Sequence, residues 1–475
     1  MSPAPLELWG LSPLWITIAG SILLLTVEFS MKEEGRRIAP ILTGTILVLA
    51  LGAVFRLLNH PPMPGSLFQG SVVMDLYSVT LTGICLLSAL LACLFSASYM
   101  VREKAVTGEY YALLLLAVSG MQTLVISADF LTLFMGLELM SLSAYVLAGY
   151  LRTRERSTEA ALKYFLNGVF ASAFLLYGIA MIYGVSGSVR FQDIRLFLEH
   201  THTYPLFIGL GVVLILVGLG FKVAAVPFHA WAPDVYEGSA APVSVLLSTG
   251  VKTAGFGILA RLFAEVFGLP GGWTAVIPVL AVLTMGLGNL GALTQTSVKR
   301  MLAYSSVAQA GYLLVGLSAA SFAPADDVER SVAFYLLAYT LMTAGAFGWA
   351  AWASGKGETN DQLEDYRGLG LSHPFLGSMM ALFLFSLAGM TPTAGFFGKY
   401  YLFKLAVDHG MVWLAIVAVL NSFISAFYYL RVVVYLFMKP LEGTGRELGT
   451  SFEVSLSFFL CAIGVLMVGF LKFPF

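Results

Sequence analysis

Four ionisable side chains stand near the middle of long apolar stretches. They are Glu138 in LTLFMGLELMSLSAY, Lys222 in GLGFKVAAVPFHAW, Lys252 in LLSTGVKTAGF and Lys399 in GMTPTAGFFGKYYLF. A fifth, Lys163 in EAALKYFLNG, lies nearer the end of its stretch. A charge at mid-bilayer costs at least ~2.5 kcal/mol, so such residues face protein or water and usually do a job. Burial disfavours the charged form of a lysine, and a nearby carboxylate favours it again. A lysine whose carboxylate partner moves therefore takes up and loses a proton. The chemistry these residue types offer is proton transfer. Sodium would want a cage of oxygens, and a row of lysines repels cations.

Each residue also has a plainer reading. Lys163 is as well placed to snorkel to the interface as to relay protons. Glu138 can serve as one half of a structural ion pair. His229, just past Pro227, is a relay candidate, although such a histidine is more often a satisfied polar core residue. Asp75, Asp129 and Asp234 fall at span ends, where capping is the simpler reading. Tyr304, Ser305 and Ser306 in RMLAYSSVAQAGY either line a wet path or bond neighbouring helices.

The elements that carry these residues follow from composition. Of the 475 residues 58% are hydrophobic and only 11% charged, which no soluble chain of this length could keep from water. Apolar runs of about 18 or more residues recur throughout, each long enough to cross a bilayer. Spans in lipid must satisfy their own backbone, and these runs lack the alternation of barrel strands, so the class is an all-α polytopic membrane protein. The pattern predicts about 14 transmembrane helices. Lysines and arginines gather in the loops after odd-numbered spans, from Lys32, Arg36 and Arg37 to Lys439 and Arg446. The loops after even spans hold Arg190 and Arg195. Odd loops are then cytoplasmic and both termini lie outside. The linker 185–204 reads as a surface turn. The N-terminal run lacks the positive leader of a signal peptide and is expected to be a retained span.

The seventh and twelfth segments are too long. Residues 205–238 as one straight helix would extend ~51 Å, and Pro227 interrupts it. The twelfth repeats the pattern with Pro392 and Lys399. Two Pro-broken segments five spans apart predict two five-helix repeats, inverted because five is odd. The organisation expected is an N-terminal segment at 1–108, repeats at 109–267 and 273–438, and a C-terminal helix at 439–475.

Other functions are excluded by the same reading. A net charge of -1 offers no nucleic-acid surface. Cys85, Cys93 and Cys461 are isolated in apolar spans and form no metal or disulfide framework. Gly286, Gly288 and Gly291 spell G-x-G-x-x-G, but inside a membrane span they serve helix packing and not a dinucleotide. No cofactor or metal site is expected in this chain.

The stretches GLGFKVAAVPFHAWAPDVYEG, LLSTGVKTAGF, KRMLAYSSVAQAGY and GMTPTAGFFGKYYLF, with matches along nearly the whole chain, resemble the antiporter-like membrane subunits of respiratory complex I. Lys399 in place of a glutamate, and an end after the fourteenth span with no lateral helix, point to one branch of that family. The resemblance implies a bacterial inner-membrane subunit of a proton-pumping translocase that does no redox chemistry itself. It implies Glu138 and Lys222 as a switching pair, Lys252 as central relay and Lys399 as terminal lysine. Lys163 and His229 match family positions of less settled role. The implied partners are other antiporter-like and small membrane-arm subunits and the lipid bilayer, with NADH, flavin, iron–sulfur clusters and quinone held in partner subunits. The alternatives are a cation/proton antiporter subunit without redox coupling, a purely structural subunit, and a ferredoxin-linked relative.

Overall fold

The computed structural model describes residues 9–60, 66–201, 206–268, 271–440 and 448–470, and at 31–37, 66 and 272–273 the backbone alone. Arg446 and the side chains of Lys32, Arg36 and Arg37, which entered the orientation argument, lie outside the described part, as do both chain ends.

The first helical run, Ser12–Asn59, carries two spans, α1 (Ser12–Ser30) and α2 (Ile38–Asn59). It folds back on itself, since Gly20 packs against Ile46, and 26 residues of straight helix would hold them ~39 Å apart. Then come α3 (Leu76–Arg102), α4 (Gly108–Val125), α5 (Phe130–Ala148) and α6 (Glu155–Ser186). Asp75 caps α3 through the Ser78 N–H, and Asp129 caps α5 through the Thr132 N–H at 2.6 Å. Both aspartates satisfy donors that a helix start leaves open.

The linker expected to be a turn contains a ten-residue helix, α7 (Phe191–His200). Phe191, Ile194 and Leu198 are its buried face, and Arg195 pairs with Glu199 outside at 2.9 Å. Its three apolar anchors were too few to mark it as a helix in the sequence.

The seventh segment is broken into α8 (Leu206–Val223) and α9 (Trp231–Gly238). Next are α10 (Ala241–Val266), α11 (Val276–Thr294), α12 (Val298–Leu317) and α13 (Ala325–Ala353). The twelfth segment is likewise broken into α14 (Pro374–Ala388) and α15 (Ala394–Asp408), followed by α16 (Val412–Phe437) and α17 (Phe452–Met467). Ten of the described helices are long and apolar enough to cross a membrane, and α14 and α17 are shorter apolar helices. Among the described residues one two-stranded sheet joins Ser66–Leu67 to Val72–Val73, beside isolated bridges at Val72–Ser127, Asp129–Arg190 and Ser297–Gln362.

Large apolar side chains such as Ile41, Phe55, Phe170, Phe423 and Phe427 cover the outside, a surface suited to lipid or to partner helices and not to water. The centre is α10, in which every residue from Ala241 to Arg261 is buried. Two π-turns, Leu247–Val251 and Leu262–Val266, interrupt it, the first directly before Lys252. Such bulges re-aim side chains and are frequent at functional sites.

The same packing device occurs twice. Gly120 of α4 meets the backbone at Met140 of α5, and Gly136 meets Leu124. Gly288 of α11 meets the backbone at Ala308 of α12, and Gly311 meets Met285. Each clasp lets two helix backbones touch, as small residues do in membrane packing. Gly288 and Gly291 of the G-x-G-x-x-G stretch are thus packing residues, the second against the Tyr304 ring.

The two breaks also correspond. Ala224 has φ +57° and Gly389 φ +89°, each three residues before the proline, and Pro227 and Pro392 both follow cis peptide bonds. A non-glycine residue such as Ala224 is uncommon in the left-handed region and persists where its surroundings hold it there. At the first break the Val226 N–H donates to Thr284 Oγ1 of α11 at 3.0 Å, and the Trp231 indole donates to the Phe221 carbonyl at 2.9 Å. Backbone groups released from the helix are therefore satisfied by protein, as membrane burial requires.

Candidate proton-transfer site

Lys222 lies in the last turn of α8 and is wholly buried. Its Nζ donates to the Tyr145 hydroxyl at 3.1 Å. The rings of Tyr145, Tyr164 and Phe221 surround it, with centroids 4.8, 5.2 and 5.3 Å away. Tyr164 is in turn stacked on Trp231 across the break, at 4.5 Å. Aromatic faces attract a cation without neutralising it. The cage stabilises a charged lysine while leaving its proton exchangeable.

Glu138 is half-buried on α5, and its Oε1 accepts a hydrogen bond from Ser172 Oγ of α6 at 2.5 Å. No ion pair within 4 Å joins Glu138 to Lys222 among the described residues. Tyr145, two turns further along the same face of α5 than Glu138, is the residue that contacts Lys222. A phenol accepts and donates, so it can take the Lys222 hydrogen bond and pass one on. Nothing in the spacing of the sequence singled out Tyr145, because a tyrosine in an apolar helix reads as packing.

Gly255 of α10 lies against Val223 and Lys222, which brings α8 close to the helix that carries Lys252. Lys252 is buried and donates from Nζ to Ser306 of α12, to the carbonyl at 2.5 Å and to Oγ at 2.6 Å. Tyr339 of α13 donates to the same Oγ at 2.8 Å. One turn along α12, Gln309 Nε2 donates to the Tyr429 hydroxyl at 3.2 Å and to the Leu387 carbonyl at 3.0 Å. Its Oε1 accepts from Tyr335, and Ser305 bonds Tyr429.

Lys399 sits after the second break, in α15. Its Nζ donates to the Leu387 and Ala388 carbonyls, at 3.0 and 3.1 Å, and to Ser422 Oγ at 2.9 Å, with the Tyr312 ring 4.6 Å away. Those carbonyls are the open end of α14, which the helix leaves unsatisfied and partly negative. An ammonium completes them without any carboxylate. Leu387 accepts from both Lys399 and Gln309, so hydroxyl, amide and carbonyl groups form a polar chain from Ser305, the sequence neighbour of the Lys252 partner Ser306, to Lys399. Ser305 and Ser306 belong to it, while Tyr304 packs under the Arg300 guanidinium, 5.9 Å from the ring centroid. Gln309 was in the quoted stretch and lies one turn from Ser305 and Ser306. That helical spacing was the signal for it.

Two candidates lie elsewhere. Lys163 is at the surface, paired with Glu159 and with Asp234, each at 2.7 Å. Asp234 also pairs with Arg300 at 2.8 Å, and Arg300 with Glu237 at 2.7 Å. Asp234 thus works as an ion-pair centre in the first turn of α9 and not as its cap. His229 is half-buried in the first break, and no hydrogen bond joins its ring to Lys222. Cys85, Cys93 and Cys461 are free and buried.

On the same face as Lys163 lies a hub that the sequence reading missed. Glu358, in the loop after α13, accepts from Lys299 Nζ at 2.8 Å, from the Tyr99 hydroxyl at 2.6 Å and from the Ala241 N–H at 2.9 Å. It thereby ties α12, α3 and the start of α10 together. Tyr99 accepts from Arg154, which pairs with Glu103 at 2.6 Å. Burial pushes the Glu358 carboxyl up, but the Lys299 ion pair and the hydrogen bonds from Lys299, Tyr99 and Ala241 hold it below the usual carboxylate range. Asp361 behaves oppositely: burial pushes it up to about 6, against hydrogen bonds from Ser297 and the Lys299 N–H. The Glu358 contribution is therefore present above the ordinary carboxylate value and lost as pH falls through its lower folded value. The Asp361 contribution is present at low pH and lost as pH rises through about 6.

The chain is similar to known proteins over most of its length. Residues 127–425 match a family model described as the NADH:quinone oxidoreductase/Mrp antiporter transmembrane region. The chain is 43% identical to the NADH-quinone oxidoreductase subunit N of Trichlorobacter lovleyi, over 94% of this chain and 91% of the relative. It is similar to a chain of respiratory complex I from Thermus thermophilus with bound aureothin, at TM-score 0.81 and 34% identity over 96% of each. A chain of the Mrp complex from a Dietzia species shares the fold, at TM-score 0.81 and 21% identity over 96% of this chain and 94% of that one.

Proposed function

The chain belongs to the NADH:quinone oxidoreductase/Mrp antiporter transmembrane family, and from there we propose that it is the proton-translocating subunit N of a bacterial NADH–quinone oxidoreductase. The observation that carries this reading is the set of three buried lysines, Lys222, Lys252 and Lys399, placed at a break, a π-turn and a break. Each is held by neutral groups and not by a fixed carboxylate. A permanent salt bridge would lock the proton in place; hydroxyls, rings and carbonyls leave it exchangeable.

In this mechanism quinone reduction elsewhere in the complex perturbs the membrane arm. Glu138 changes its interaction with the Tyr145–Lys222 group, and the Lys222 proton passes to Lys252. From there the Ser306, Gln309 and Leu387 groups lead towards Lys399 and the far side. Moving one charge outward costs about 2.3 kcal/mol per 100 mV, which the change in the interaction of Glu138 with the Tyr145–Lys222 group has to supply. Lys163 in its surface cluster suits proton entry, and His229 a supporting role at the break. The repeats at 109–267 and 273–438 each supply one half-channel, supported by the paired glycine clasps and breaks. NADH, flavin, iron–sulfur clusters and quinone belong to partner subunits, which include other antiporter-like and small membrane subunits. The distribution of lysine and arginine supports an orientation with both termini on the outer side of the inner membrane.

A cation/proton antiporter without redox coupling would use the same lysines. The 43% identity to a subunit N, against 21% to the Mrp chain, favours the redox-coupled reading, and co-purification with NADH dehydrogenase activity separates the two. The mechanism is tested by Lys222→Ala and Lys399→Ala in reconstituted complex. Assembly and NADH oxidation should survive in part and the proton-to-electron ratio should fall. A wild-type ratio in fully assembled variant complex would refute the site assignment.

A further inference from the structure

The other end of α10 holds a second charged group that the lysine pathway does not use. Arg261 is 1% exposed. Its NH2 lies 2.5 Å from Asp75 Oδ2, and its Nε lies 3.8 Å from Glu265 and 3.9 Å from Glu329. NH1 donates to the Val125 carbonyl at 3.2 Å, and the Tyr77 ring centroid is 5.3 Å from the guanidinium. Three carboxyls from α3, α10 and α13 thus face one cation.

Two observations mark this cluster as one in which a carboxyl keeps its proton. Glu329 is 7% exposed, and its Oε1 has no hydrogen-bond donor. The Glu265 and Glu329 carboxyls both approach the same Arg261 Nε, at 3.8 and 3.9 Å. Like carboxylates sharing one cation do not both ionise readily, so one of the two keeps a proton. Other charges nearby are engaged elsewhere. Asp193 accepts from Ser188, Arg195 pairs with Glu199, and Arg330 turns to Asp326 at 3.9 Å. Arg190 lines the adjoining cavity beside Glu265. Lys404 on α15, which packs against α13, pairs with Asp408 at 3.0 Å. Among the described residues Arg261 is the cation within 4 Å of Glu329.

We propose that Arg261, Asp75, Glu265 and Glu329 form a proton-holding site that releases protons to the outer side. The site lies at the ends of α3, α10 and α13 that the lysine and arginine distribution assigns to the outside. It borders a cavity of about 380 Å³ lined by Arg261, Glu265, Gly70, Arg190 and Asp193. Lys252 lies nine residues back along α10, ~13.5 Å along its axis. On release the O–H bond of the shared carboxyl breaks, the proton passes to water in the cavity, and Arg261 counters the carboxylate left behind. The next proton from the interior re-forms that bond. This step rests on the proton-translocation reading above.

The test uses the intact complex. Infrared pH titration should show a carboxylic-acid carbonyl stretch at neutral pH that disappears in Glu329→Gln and in Glu265→Gln and persists in Asp326→Asn. The more exposed Glu265 keeps the test open if Glu329→Gln does not assemble. The same two glutamine variants should lower the proton-to-electron ratio and change its pH profile. A carbonyl signal that persists in both variants overturns the proposal, and so does an unchanged ratio and profile. Either result leaves the lysine variants to be judged on their own.

Discussion

Glu358→Gln is expected to cost this subunit most of its place in the membrane. The carboxylate is the shared acceptor for Lys299, Tyr99 and the first N–H of α10. A glutamine fills the same space and still accepts one hydrogen bond, but it leaves the buried Lys299 ammonium without a counter-charge. Breaking a buried pair by removing one partner costs about 3–5 kcal/mol, a large part of the about 5–15 kcal/mol that holds a typical folded protein. The expected outcome is a sharply reduced yield of assembled complex and a lowered thermal midpoint. Glu358→Asp, which keeps the charge, should retain more of both. The deficit should be constant from pH 8 to about pH 5, because the folded Glu358 carboxyl titrates below its ordinary range. A midpoint within about 2 °C of wild type would mean that the hub does not hold these helices together.

Lys399→Arg should assemble well and pump poorly. Arginine keeps the positive charge and enough donors for the Leu387 and Ala388 carbonyls and Ser422. What it lacks is a neutral form. An arginine pKa of about 13.8 against about 10.4 for lysine makes the deprotonated fraction roughly 10³-fold smaller in a comparable environment. If Lys399 serves only as a fixed cation that completes the broken helix, arginine should replace it. If it carries the proton, the variant should show near-normal assembly with a proton-to-electron ratio as low as that of Lys399→Ala. Ratios measured in vesicles at matched NADH oxidation separate the two, and a wild-type ratio for Lys399→Arg would remove Lys399 from the proton path.

Much of this molecule is legible in its sequence because a bilayer imposes simple rules. Helix and span follow from hydropathy, and Lys222, Lys252 and Lys399 are conspicuous since a cation in hydrocarbon needs a reason. Pro227 and Pro392 marked both breaks, which the structure places within three residues of Ala224 and Gly389. Partner identity was not legible. Tyr145 gave no sign that it would hold Lys222, because partners of a buried charge come from other helices and are fixed only by packing. Glu358 directly follows Gly355, Lys356 and Gly357 and reads as part of a solvated turn. Its burial depends on α3, α10 and α12 meeting there. Arg261 was hidden differently: it falls inside the eighth apolar stretch, and with Glu265 four residues on it should have been weighed as an interior charge.

The central claim is that protons pass through the interior along these lysines, and Lys252 is the position that tests it most directly. It lies midway, and among the described residues it has no carboxylate within 4 Å and its ammonium is hydrogen-bonded to Ser306 alone. Lys252→Met keeps the volume and removes the proton carrier, while Tyr339 still satisfies Ser306 Oγ. The decisive measurement is the proton-to-electron ratio of vesicles holding fully assembled Lys252→Met complex during NADH oxidation. A ratio clearly below wild type is predicted; a ratio equal to wild type would contradict the pathway.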